Sequence, residues 1–84
     1  MNDDPREKAK VDIGGRAYYC LLGSDVVRDG MYLELSESGD DGILEVFYSD
    51  QTGSMTLTAR KEDIPLAVVE WLVAQARTRL PPKA

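Results

Sequence analysis

The sequence predicts an α+β fold, an antiparallel β-meander of about four to six strands with one long C-terminal helix packed on one sheet face. Three observations predict it. Short stretches between Val11 and Ala59 alternate apolar and polar side chains, the period-two pattern of half-buried strands. Clusters of Gly, Asp and Ser separate these stretches as turns do. After Asp63 the apolar spacing becomes helical and continues to about Leu80, where Pro81-Pro82 stops it.

Each element has its own justification. Met1–Lys8 is polar and carries Pro5, so residues 1–9 read as a flexible tail, 10–80 as one domain and 81–84 as a C-terminal tail. Gly14-Gly15 lies between Val11–Ile13 and Ala17–Leu22, which favours a tight hairpin over one long strand kinked at glycine. Gly23-Ser24-Asp25 reads as a turn, Val26-Val27-Arg28 as a short apolar piece, and Asp29-Gly30 as a second turn pair. In Met31–Ser36, Met31, Leu33 and Leu35 share one face and Tyr32, Glu34 and Ser36 the other. A flexible connection over 38–42 leads to Ile43–Ser49, with Leu44, Val46 and Tyr48 on one side and Ile43, Glu45 and Phe47 on the other. After a turn at 50–53, Met55, Leu57 and Ala59 face inward and Thr56 and Thr58 outward.

The helix has two apolar faces. Asp63 is the expected N-cap, with Pro65 in the first turn. Leu66, Val69, Leu72, Val73, Ala76 and Leu80 form the stripe expected to cover the sheet. Ile64, Val68 and Trp71 fall on nearly the opposite side, where little charge accompanies them. Either the N-terminal hairpin or Val26-Val27 covers this second set, or it is a contact surface for a partner or a second copy. The sheet face away from the helix should carry Tyr32, Glu34, Glu45, Phe47, Thr56 and Thr58, with Tyr18 or Tyr19 beside them. Tyr32 and Phe47 are candidate contact residues there.

Composition narrows the chemistry. With 84 residues, a single core is the default, and that core is thin enough for a partner surface to help stability. The net charge of −5 repels phosphate backbones and anionic lipid headgroups. Arg60-Lys61 is followed at once by Glu62-Asp63, and Arg77 and Arg79 suit the last turns of a helix, so neither pair reads as a phosphate site. The chain has no histidine and a single cysteine, Cys20, so the usual general base, the nucleophile–His pairings and a structural zinc site are missing. Glu37, Asp40, Asp41 and Asp50 lack the alternating spacing of a calcium loop and read as solvated turn residues. Glu34 and Glu45 could oppose each other across adjacent strands, yet nothing in the sequence places a cleft over them. The expectation is no catalytic, cofactor-binding or metal-binding residue and no evident small-molecule substrate.

The leading functional expectation is a non-enzymatic protein-interaction or self-associating module, a homodimer included. The alternative is a single-stranded nucleic-acid-binding domain using the aromatic sheet face. In layout, strands followed by a terminal helix, the chain resembles small single-stranded nucleic-acid binders of the coactivator type. Glu34 and Glu45 among the aromatics carry the wrong sign for that role. A charged N-terminal stretch without an apolar run, no stretch approaching the roughly 20 residues that span a bilayer, and a lone thiol favour a cytoplasmic protein without a membrane role.

Overall fold

Gly14 and Gly15 adopt φ of 60° and 83°, the left-handed values that a two-residue hairpin turn requires at both positions. They join β1 (Lys8–Ile13) to β2 (Arg16–Asp25), with Ile13 opposite Arg16, so the hairpin forms and the kinked-strand alternative does not. The structure, a computed structural model, describes residues 8–80; the sequence-based tails over 1–7 and 81–84 and the Pro81-Pro82 stop lie outside them. Strand structure starts at Lys8 rather than Lys10.

β2 runs straight through Gly23-Ser24-Asp25, where a turn was expected, and the chain reverses over Val26–Asp29 instead. The cause is local. An Asp25 carboxylate oxygen accepts hydrogen bonds from the backbone N–H groups of Val27 and Arg28 at 3.1 and 3.0 Å, which starts the turn after Asp25. Asp29 completes it at φ 59°. β3 (Gly30–Glu37) and β4 (Asp40–Ser49) are joined by Ser38-Gly39 alone, tighter than the flexible connection expected. The pairing register shifts between Leu35 and Glu37, so Ser36 faces a bulge over 41–43. The buried Ser36 hydroxyl accepts the Gly42 N–H at 2.8 Å and closes that bulge. The bulge also turns Ile43 into the core beside Leu44, where strict alternation had placed it on the other face. β5 (Met55–Ala59) completes a five-stranded antiparallel sheet in the order β1-β2-β3-β4-β5.

The helix α1 (Leu66–Arg79), the one helix among the described residues, lies over the face that carries Tyr18, Cys20, Leu33, Leu35, Leu44 and Val46. Its entry differs from expectation. Asp63 sits at φ 58° and turns the chain, and Pro65 is the N-cap, its carbonyl accepting from Val68 N at 3.0 Å. The helix phase is also corrected. Val68, Leu72, Ala76 and Leu80 are the buried stripe, each 1% exposed or less, whereas Leu66 is 69% exposed. At 100° per residue, Leu66, Val73 and Arg77 fall on one flank of that stripe and Trp71 on the other. The helix approaches β1, β3 and β4 but makes no close backbone approach to β5.

Candidate functional site

Cross-strand register sets the open face of the sheet. Tyr32 stands opposite Phe47 and Glu34 opposite Glu45, as alternation predicts. Tyr19 belongs to this face, while Tyr18 points to the helix and is 1% exposed. Over the aromatic row lies Arg28, supplied by the β2–β3 turn. Its guanidinium carbon is 4.0 Å from the Phe47 ring centroid, its Nε donates to Asp25 at 2.6 Å, and its Nη2 donates to Glu45 at 3.0 Å. Arg60 donates to the other Glu45 oxygen at 3.3 Å and to the Gly42 carbonyl, also at 3.3 Å. The Glu45 carboxylate, 6% exposed, is thus held between two guanidinium groups. Hydrogen bonds from the Arg28 backbone and guanidinium hold the Asp25 carboxyl below the usual carboxylate range.

Glu34 and Glu45 face each other, and Glu45 is committed to Arg28 and Arg60. Every buried side-chain polar atom among the described residues has a partner. Glu37 accepts from Lys61, which lowers its carboxyl, and has Arg16 3.6 Å away; Lys61 also reaches Asp40 at 3.5 Å. Asp50 lies at the far end of β4 from Asp40 and Asp41. Among the described residues no cluster of His, Cys, Asp or Glu is placed to hold a metal ion. Burial pushes the Cys20 thiol up, partly offset by Arg79, and at 3% exposure the thiol is a core side chain rather than a nucleophile.

The helix surface expected from Ile64, Val68 and Trp71 does not assemble as one exposed face. Val68 is in the core, and Ile64 and Trp71 are half-buried and packed against it. Val26 and Val27 cover neither, being 95% and 93% exposed. Tyr32 and Phe47 do share the open sheet face, with Phe47 beneath Arg28.

A different surface emerges at the other side of the helix. Because α1 stops short of β5, an apolar groove of about 390 Å³ opens there, lined by Val46, Met55, Thr56, Val73, Ala76 and Arg77. Leu57, in the middle of β5, is 46% exposed. β5 is also a sheet edge. Ser49 N donates to the Ser54 carbonyl and Arg60 N to the Ile43 carbonyl, so alternation makes Thr56 and Thr58 the residues bonded to β4. The N–H and C=O groups of Met55, Leu57 and Ala59 therefore point outward, with no partner among the described residues. The two edges differ in chemistry: β1 carries Lys8, Lys10 and Asp12, whereas Met55–Ala59 has no charge and no proline. Strand order held the signal for this edge, since the last strand of a meander has a neighbour on one side alone. The groove had no such signal, because it depends on where the helix lands.

No helix among the described residues is long and apolar enough to cross a membrane. No protein-family model matches the chain, and neither a curated protein nor a solved structure shows significant similarity to it.

Proposed function

We propose that this chain is a small non-enzymatic protein-interaction module that uses the β5 edge and the adjoining groove as its contact surface. The observation that supports this best is the uncharged strand Met55–Ala59, with outward main-chain groups and a half-exposed Leu57 beside an apolar groove. An extended segment added there would gain main-chain hydrogen bonds from the edge and side-chain burial from the groove, the mode of strand addition. The reading involves no metal, cofactor, small-molecule substrate or membrane. It places the protein in the cytoplasm, where a lone buried thiol such as Cys20 stays reduced. Nucleic acid is disfavoured as a partner because Arg28 occupies the Phe47 ring and Glu34 and Glu45 fill the next row.

A photoreactive phenylalanine analogue tests the reading. Placed at position 57, it should form covalent adducts with protein in living cells; placed at position 10, on the β1 edge, it should not. Absence of protein adducts from position 57 overturns the proposal.

A further inference from the structure

Resting on the reading of β5 as the interaction edge, we propose that the occupant of that edge is a second copy of this chain. The two β5 strands run antiparallel across a two-fold axis through Leu57. The hydrogen-bond pattern is self-complementary in this register. Leu57 meets Leu57 of the second copy and Met55 meets its Ala59, and these are the residues whose N–H and C=O groups point outward. Directly opposed residues of this kind exchange both bonds, so each outward donor finds an outward acceptor. Centring on Leu57 also keeps the whole of Met55–Ala59 paired, which a shift along the strand would not.

Side chains and charges fit the same register. On the helix side the two exposed Leu57 side chains cover each other, and each long Met55 lies beside a short Ala59 at the mouth of a groove. On the open side Thr56 lies beside Thr58 of the second copy, a favourable cross-strand pair. Just beyond the strand, Arg60 comes opposite Ser54, while Lys61 is held by Glu37 and Asp40 and the chain bends away at 61–63. The paired strands themselves carry no charge, although each copy carries a net charge of −5. The seam is one short strand pair with its flanking contacts, so association belongs to the weak class, with a dissociation constant of about 1–100 μM.

Sedimentation of the purified wild-type chain from low to high micromolar concentration should show a monomer–dimer equilibrium. Leu57→Lys, which sets two ammonium groups at the axis, should weaken it about tenfold or more. A measurement on the wild type alone guards against a misfolded variant. The amide of Leu57 should gain protection from hydrogen exchange as concentration rises, while those of Thr56 and Thr58 stay protected throughout. A wild type that remains monomeric at high micromolar concentration overturns the inference, as does a dimer in which the Leu57 amide stays unprotected. If the chain is monomeric yet position 57 crosslinks to a different protein in cells, the second copy is excluded and the interaction edge stands. If neither association nor adducts appear, both fall.

Discussion

Gly30 and Gly14 are glycines for different reasons, and substitution separates them. A Cβ at Gly30 would stand 2.0 Å from the Tyr48 carbonyl oxygen and 2.6 Å from the Phe47 ring, so the obstruction is backbone as well as side chain. At Gly14 nothing lies within 4 Å, and the demand is a positive φ alone. Gly30→Ala should therefore cost about 3 kcal/mol, as forced overpacking does. Gly14→Ala should cost about 1 kcal/mol, the strain of a left-handed L-residue. Urea denaturation of the two variants against wild type checks the ranking; equal losses would refute it. Asp25 supports a second expectation. Its carboxyl is lowered first by the Arg28 backbone N–H and then by the guanidinium, and Glu37 is lowered by Lys61. A depressed folded-state pKa contributes stability above the unfolded carboxylate value, near 4, and loses it as pH falls through the folded value. Stability should thus decline below about pH 4. Asp25→Asn should flatten part of that decline and free Arg28 from its turn, visible as a steeper temperature dependence of the Phe47 ring environment by NMR.

Among the elements, the strands were largely legible and the helix phase partly so: Leu72, Ala76 and Leu80 are buried as read, while Val68 takes the place expected for Leu66. Met31–Ser36 alternates cleanly, so one binary pattern placed its side chains, with Tyr32 opposite Phe47 and Glu34 opposite Glu45 as the outcome. Met55–Ala59 also alternates, but Leu57 and Ala59, read as inward, are exposed because α1 does not reach β5. The helix offers apolar residues on most of its circumference, from Leu66, Ala67, Val68 and Val69 to Trp71, Leu72 and Val73, so spacing alone could not choose which stripe faces the sheet. Two further departures have the same character. The bulge beside Ile43 and the Asp25-started turn depend on one or two backbone N–H groups donating to a side chain, Gly42 to Ser36 and Val27 and Arg28 to Asp25. The corrected phase predicts contrasting truncations. Leu72→Ala, at a fully buried site, should cost about 2–5 kcal/mol. Leu66→Ala should change stability by about 0.5 kcal/mol or less, since that side chain is mostly exposed. Urea melts decide it, and a large loss at Leu66 would restore the stripe read from the sequence. For the open sheet face, titration of fluorescent single-stranded DNA at low salt should show no submicromolar affinity; tight, salt-sensitive binding would return the aromatic row to first place.

At the scale of the whole molecule, the two sides of the sheet end differently. The chain order alone made β1 and β5 the borders, and the residues on them are unlike: Lys8, Lys10 and Asp12 on one, Met55–Ala59 without charge on the other. A sheet with two adhesive borders can add copies without limit and grow into a fibre. In the proposed dimer, pairing through β5 consumes the adhesive border of both copies at once. What then faces solvent at each extremity is a β1 strand whose lysines and aspartate disfavour further annealing. On this proposal the charged first strand acts as a terminator, leaving each molecule one border for recognition and limiting polymerisation to a single step.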